Sequence, residues 1–305
     1  MAAQDTLLLG SDNYTTLEYL AEGAANVVYR ILSQPPSPST DADLNFSYDS
    51  PLPSEVAVFR DNPRLEGKLV RFRKHLPSMI PVIESQKHFE TLILPLFEGH
   101  PGCLVEQILF RPSRELLSKC NYQLRRKEAE GSRSRNRHGV YLAEDEEYGT
   151  LVTDMSAENY GYYACVEFKP KWLAQSPSAP SGSRMCRTCA LRAMRSAGEE
   201  YPKPSFCPLS LMSEDKAKVA AALDVVTKIA KYGDTLTEAA QASLIDLLYK
   251  SPLLRLLRKL QSEKDPLGVL RTDLQNQDFL TAMTLRDCTL FLKVCTLSTE
   301  SSIIP

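Results

Sequence analysis

Apolar residues run through Thr15–Ala21 and dominate Val27–Leu32, and Glu22-Gly23-Ala24-Ala25-Asn26 lies between them, so the pattern predicts a β-hairpin. Gly67–Lys74 alternates apolar and basic residues as a strand with one buried face does. Glu55–Arg60, His88–Phe97 and Gly102–Phe110 extend the apolar pattern, giving a sheet-rich first part. Residues 33–54 break it: they are rich in Ser, Pro and Asp and read as a mobile insertion. Asn121–His138 carries many basic and few apolar residues, among them Arg133, Arg135 and Arg137, and reads as a solvated loop.

Beyond it, Thr150–Met155 is a short apolar strand, followed by a second strand over Tyr163–Lys171 and a Ser/Pro loop over Leu173–Gly182. Helical spacing then takes over in Arg184–Arg195, Asp215–Tyr232 and Leu236–Leu260, the last interrupted at Pro252. Leu244, Leu247, Leu248, Leu254 and Leu257 are its natural core residues. Phe279–Val294 holds two apolar runs hinged at Arg286-Asp287. No internal repeat interrupts this order, and an α+β chain is expected, with lobes at 1–150 and 151–305.

Charge adds one constraint. Across 305 residues, 36 Lys and Arg nearly balance 38 Asp and Glu, so the net charge of −2 gives no global attraction to nucleic acid or an anionic membrane. Any anion site must be local. Apolar runs are too short for a membrane span and Met1–Gly10 lacks a secretory pattern, so a soluble intracellular protein is expected. Eight cysteines scattered through such a chain read as reduced core or ligand thiols.

The strand Tyr163–Lys171 carries the most pointed chemistry. Strand alternation puts Glu167, Lys169 and Lys171 on one face, and Pro170, which has no N–H to give a ladder, belongs at a strand end. Two ammonium groups there suit a phosphorylated ligand; a solvated strand end is the other reading. Cys186-Arg187-Thr188-Cys189 has the form of half a zinc site, to which Cys207 could add a thiolate, but His75, His88, His100 and His138 lie far upstream. Reduced structural cysteines are therefore expected, with no metal assigned.

Taken in order, Glu22–Asn26, Gly67–Lys74, Leu151–Met155, Val166–Lys171 and Ala282–Thr289 resemble the inositol-pentakisphosphate 2-kinases of fungi. That resemblance implies a two-lobed α+β fold related to protein kinases. It also implies transfer of phosphate from ATP, with Mg²⁺, to the 2-hydroxyl of inositol pentakisphosphate, giving the hexakisphosphate. Under it, Gly23, Ala24 and Asn26 belong to a loop whose N–H groups approach ATP phosphates, although a plain turn explains them equally well. Arg71 would contact nucleotide phosphates, or be an exposed strand arginine. Thr153, Asp154 and Met155 would form the adenine hinge, although Asp154 could simply cap a turn.

The resemblance further implies that Lys169 and Lys171 span the transferred phosphate and the inositide. Arg137, Arg184 and Arg192 would clamp the inositide's phosphates, with Arg187 and Arg195 facing solvent. Asp287, in Arg-Asp-Cys between two strands, would meet the acceptor hydroxyl as the catalytic carboxylate; a turn aspartate is the alternative. The family's segment resembling Asp-Leu-Asp-Leu-Lys, source of a magnesium-binding aspartate, has no counterpart in these residues, so Mg²⁺ is expected without an assigned ligand. A truncated inactive kinase or a non-catalytic inositol-polyphosphate binder is the alternative. A monomer in the nucleus or cytoplasm is expected, needing neither nucleic acid nor membrane.

Overall fold

The computed structural model describes residues 7–9, 15–33, 65–155, 163–198, 205–229, 237–273 and 275–295. The expected insertion 33–54, apart from Ser33, and the strand expected at Glu55–Arg60 lie outside them. The chain forms two compact units, the first taking the described residues up to Leu94 and then Leu104–Asp154, the second taking Pro95–Cys103 and those from Met155 onward. Among the described residues no helix is long and apolar enough to cross a membrane.

A six-stranded sheet organises the first unit. In chain order its strands are β1 (Leu7–Leu9), β2 (Thr15–Glu22), β3 (Asn26–Ser33), β4 (Lys68–Arg73), β5 (Gln107–Pro112) and β6 (Gly149–Thr153). Their spatial order is β1-β5-β6-β4-β3-β2, antiparallel except for the parallel β1–β5 edge. The hairpin is where the sequence pattern placed it, closed by the Gly23 N–H donating to the Asn26 carbonyl at 2.9 Å. In β4 the alternation works as read: Val70 and Phe72 are buried while Arg71 and Arg73 are half-buried. Tyr29, Phe72 and Phe110 meet edge-on or tilted at 5.9 and 5.7 Å between ring centres. Gly149 is required by this packing, because a Cβ there would come within 2.4 Å of the Phe110 ring.

Ahead of β6 two segments differ from the sequence reading. Asn121–His138 is not mostly loop: a helix, α2, spans Arg114–Ala129, after the shorter α1 at Val82–His88. Its signal lies upstream of the basic stretch, where the Ser113 hydroxyl accepts the Leu116 N–H and Leu116, Leu117, Cys120 and Leu124 form the buried face. The basic residues are its solvent side. His88–Phe97 is also helical, continuing α1 through a π turn at Phe89–Ile93 and a 3₁₀ turn at Leu94–Phe97. Phe97 is its one buried side chain, too little apolar burial for a strand inside a sheet.

In the second unit β7 (Tyr163–Phe168) pairs antiparallel with β8 (Leu290–Cys295), Phe168 opposite Leu290 and Tyr163 opposite Cys295. Helices α3 (Arg187–Arg195), α4 (Lys216–Ile229), α5 (Glu238–Lys250), α6 (Pro252–Lys264) and α7 (Gln277–Asp287) complete it. Pro252 does not kink a helix. It is the first residue of α6, where its missing N–H costs nothing, and Ser251 caps the start. The first apolar run of Phe279–Val294 is helix rather than strand: Phe279, Ala282, Leu285 and Arg286 are buried at helical spacing and Asn276 caps the N-terminus at 3.0 Å. α4 packs on β7, α5 on β8, and α6 on α7.

Beneath the hairpin turn lies a buried charge network. Glu22 accepts bonds from Lys74 at 2.5 Å and Arg133 at 2.9 and 3.0 Å, and both cations are almost wholly buried. Lys74 also donates to the Gly23 carbonyl at 2.8 Å. Burial pushes the Glu22 pKa up, but the bonds from Arg133 and Lys74 outweigh it and hold the carboxyl below its ordinary value. Removing one member strands a buried charge, so Arg133→Ala should destabilise the protein by about 3–5 kcal/mol in urea denaturation. Because the folded pKa is depressed, this contribution is present above the ordinary glutamate range and lost as pH falls through the folded value. Glu22→Gln should remove that part of the acid dependence of unfolding.

Candidate functional site

Each unit gathers part of the candidate chemistry. In the first, Gly23 and Ala24 lie exposed at the hairpin tip while Asn26 begins β3 half-buried. Asn26 and Arg71 line one cavity of about 160 Å³ on the sheet, with Arg73, Gln107 and Thr150. Antiparallel pairing explains the meeting, since Arg71 stands opposite Val28 on one side and Thr150 on the other. The Arg71 guanidinium donates to the Gln107 side chain at 2.7 Å, and its burial lowers its pKa. Arg73 is committed to Glu146 at 2.5 Å. Thr153 lies three residues beyond Thr150, roughly 10 Å along β6. Asp154 is buried and its N–H is bonded to the Gly67 carbonyl at 2.7 Å; Met155, half-buried, follows. Arg137, expected to clamp substrate, is half-buried in a short 3₁₀ turn at Arg135–Arg137 of this unit.

The second unit brings three of the expected residues together. Asp287 closes α7, and its two oxygens are separately engaged, Oδ2 by Lys169 at 3.1 Å and Oδ1 by Lys171 at 2.5 Å. All three side chains remain substantially exposed, so a ligand can compete for them. The hydrogen bond from Lys171 leads in holding the Asp287 carboxyl below its ordinary value; burial opposes it, and the hydrogen bond from Lys169 and the charges of both lysines add to the lowering. Burial pushes the neighbouring Cys288 thiol up to about 11, which removes it as a thiolate near neutral pH.

The lysines do not converge by sharing a strand face. β7 stops at Phe168, Pro170 is buried, and Lys171 takes a positive φ of 57°, which turns the chain so that both ammonium groups reach one carboxylate. Gln261 fixes that turn from beneath. Its Nε2 donates to the Lys171 carbonyl at 3.0 Å and the Leu285 carbonyl at 3.3 Å, and its Oε1 accepts the Leu173 N–H at 3.0 Å. Beside it, Arg286 lies buried over the Trp172 ring at 3.6 Å, donates to Asp265 at 2.6 Å and to the Gln261 carbonyl at 3.1 Å.

A family model described as inositol-pentakisphosphate 2-kinase matches residues 19–303, which contain every residue of both clusters. The chain belongs to the inositol-pentakisphosphate 2-kinase family. An inositol-pentakisphosphate 2-kinase of Yarrowia lipolytica (strain CLIB 122 / E 150) is 38% identical over 141 residues, covering 45% of this chain. The matched stretch spans 43% of that relative's length, less than half.

Against the roles that membership suggests, the described residues give a mixed placement. Lys169, Lys171 and Asp287 form one cluster; Asn26 and Arg71 share one cavity. Arg184 is exposed ahead of α3, and Arg192 donates to the Phe206 carbonyl at 3.0 Å. Neither has a hydrogen bond or ion pair to the Asp287 cluster among the described residues. Arg187, expected to face solvent, is half-buried over Trp172 at 5.2 Å; Arg195 is exposed as expected. The reading missed Gln261, Asp265, Trp172 and Arg286. Only Trp172, the single tryptophan, and Arg286, the neighbour of Asp287, offered any signal.

Lys171→Ala should therefore raise the Asp287 pKa toward the ordinary aspartate value, and Lys169→Ala should raise it less. Carboxyl ¹³C NMR titration checks this; an unchanged Asp287 titration in both variants is the contrary result.

Proposed function

We propose that this chain transfers the terminal phosphate of ATP to the 2-hydroxyl of inositol 1,3,4,5,6-pentakisphosphate, forming the hexakisphosphate. The observation that carries the reading is the Asp287 carboxylate held between Lys169 and Lys171 in a chain of this family. The inositide competes with Asp287 for the ammonium groups, because its phosphates bring far more negative charge than one carboxylate. Lys171 then holds an inositide phosphate, Lys169 faces the phosphate in transfer, and the released carboxylate orients the acceptor hydroxyl and takes its proton. While the lysines hold it the carboxyl is a weak base of depressed pKa, and their turning to the inositide frees it to orient and deprotonate the hydroxyl, orientation being the part that suits a loose phosphoryl-transfer transition state.

Nucleotide phosphates are assigned to Arg71 and Asn26 in the first unit, with the Gly23 and Ala24 backbone at the hairpin tip. Thr153, Asp154 and Met155 are assigned to adenine as its backbone hinge, with the Asp154 N–H itself committed to the Gly67 carbonyl. The sheet-rich first unit and mixed second unit suit the two lobes of a kinase-like fold. Mg²⁺, if bound, would supply positive charge to offset that of the ATP phosphates. Asp287 is not assigned as its ligand, because in this reading its carboxylate serves the acceptor hydroxyl, and the three-donor cluster among the described residues is made of thiols. Arg137, Arg184 and Arg192 keep an assignment to inositide phosphates only as further cations, and a monomer in nucleus or cytoplasm accompanies this reading.

The test is chromatographic resolution of inositol phosphates after incubation with ATP and Mg²⁺. Parent chain should yield hexakisphosphate, and Asp287→Asn should lower the rate by about 10²–10⁴-fold. The same variant should bind pentakisphosphate at least as tightly by calorimetry, because a competitor for the lysines is gone, whereas Lys171→Ala should weaken binding. Full turnover by Asp287→Asn would sink the role given to that carboxylate. Binding without transfer by the parent chain would make it an inositol-polyphosphate binder instead.

A further inference from the structure

A cavity of about 710 Å³ lies in the second unit where the 3₁₀ turn Pro208–Met212, the end of α5 and one face of α6 meet. Its volume is that of a small-molecule site, and none of the residues assigned to phosphate transfer lines it. α6 contributes three cations to the wall, Arg255, Arg258 and Lys259. Spaced three and four residues apart on a helix, they share one face and repel one another. Lys259 has a partner in Glu263 at 3.8 Å. Arg255 and Arg258 are exposed, and among the described residues their guanidinium groups have neither a hydrogen bond nor an acidic partner. Glu214 is the one acid on the wall. We propose that this cavity binds a compact polyphosphate, as a second anion site separate from the Asp287 cluster.

The remaining lining narrows the ligand. Guanidinium forks match the oxygens of a phosphate group, and two hydroxyls can add to them. Ser213 Oγ accepts the Asp215 N–H at 3.1 Å and Ser251 Oγ accepts the Leu253 N–H at 3.2 Å, so each keeps its own proton to donate to an anion. The hydroxyls of Ser262 and Tyr249 are already spent on the carbonyls of Arg258 and Glu214, at 3.0 and 2.9 Å. Leu211, Leu248 and Leu254 are at most 3% exposed, so the floor offers little area to an acyl chain or to the apolar anchor of a peptide. From Arg255 to Lys259 the cations cover roughly 6 Å of helix axis, which suits one small polyanion and is too short for a nucleic-acid track. The net charge of −2 adds no long-range pull on a nucleic acid.

An anion here would also relieve α6. Its first turn holds Arg255 and no acid, which opposes the helix dipole as well as the neighbouring cations. The same helix carries Gln261, which donates to the Lys171 carbonyl at 3.0 Å. Occupancy of the cavity therefore steadies the element that holds the Lys171 turn.

The test is hydrogen–deuterium exchange of the full chain, read by mass spectrometry with inositol hexakisphosphate as the probe. Protection is expected over residues 208–214 and 248–262. Arg255→Gln/Arg258→Gln should abolish that protection and raise the dissociation constant measured there by at least about tenfold. Lys119→Gln/Arg126→Gln makes the same charge change on the exposed side of α2 and should leave the protection intact. Lys169→Ala/Lys171→Ala should leave it intact too, whether or not the Asp287 cluster transfers phosphate, so the two sites are read apart. Without ligand the arginine variant should unfold at no lower temperature than the parent, because like charges have been removed; a lower temperature would make these arginines structural and overturn the site. Survival of the protection in Arg255→Gln/Arg258→Gln, or its loss in Lys169→Ala/Lys171→Ala, overturns the proposal. Equal protection by inorganic phosphate at the same concentration overturns the polyphosphate assignment, and protection by a single-stranded oligonucleotide at lower concentration than the hexakisphosphate overturns the compact one.

Discussion

A guanidinium kept out of water governs the second unit. Arg286 is buried between the Trp172 ring and Asp265, and taking both charges from water costs several kcal/mol per ion before pairing returns any of it. The pair is tolerable because its surroundings are polar in the right places. Asp265 also accepts the Gly268 N–H at 2.8 Å and the Thr272 hydroxyl at 3.1 Å, and the Gln261 carbonyl takes a second Arg286 bond. Gly268, at a φ of 79°, leaves room for Ser178, whose backbone N and side chain would meet a Cβ there. One buried charge therefore ties together the end of α6, the turn after it, the end of α7 and the segment beyond β7.

The first unit uses the same device with the signs exchanged. There the buried group at the turn is the carboxylate of Glu22, gripped by Lys74 and Arg133, and the exposed residue next to it is Gly23. In the second unit buried Arg286 immediately precedes exposed Asp287. In each case an accessible backbone or side chain is aimed by a neighbour that cannot move without exposing or stranding a charge. Preorganisation of this kind matters for phosphoryl transfer, where positioning and charge stabilisation supply most of the rate.

How much of this could be read from the chain depends on the range of each interaction. The hairpin, β4, β6, β7 and the α5–α6 break at Pro252 are written in local alternation, turn residues and proline position, and these were legible. So were Lys169, Lys171 and Asp287, because a motif names them. α2 is hidden because most of its apolar face, Leu116, Leu117 and Cys120, precedes the basic stretch that begins at Asn121, and the first run of Phe279–Val294 because an apolar segment beside a strand fits either period. Arg133 looked like one of several loop arginines; only its meeting with Glu22, far off in sequence, shows it to be interior. Gln261 had no local signal at all, since its side-chain partners lie far off in sequence, Lys171 and Leu173 on one segment and Leu285 on another. The Cys-x-x-Cys pair was visible, whereas the arrival of Cys207 depends on the Arg192–Phe206 contact.

The backbone of Lys171 sets a limit on how this site can change. At a φ of 57° a residue with a Cβ costs about 1–2 kcal/mol relative to the ordinary helical region, and Gln261 and Asp287 hold it there. Glycine and asparagine, the residues that suit such a conformation, carry no ammonium group. Sequence drift that relaxes the fold at this position therefore disarms the site, so thermal stability and anion affinity pull in opposite directions at a single residue.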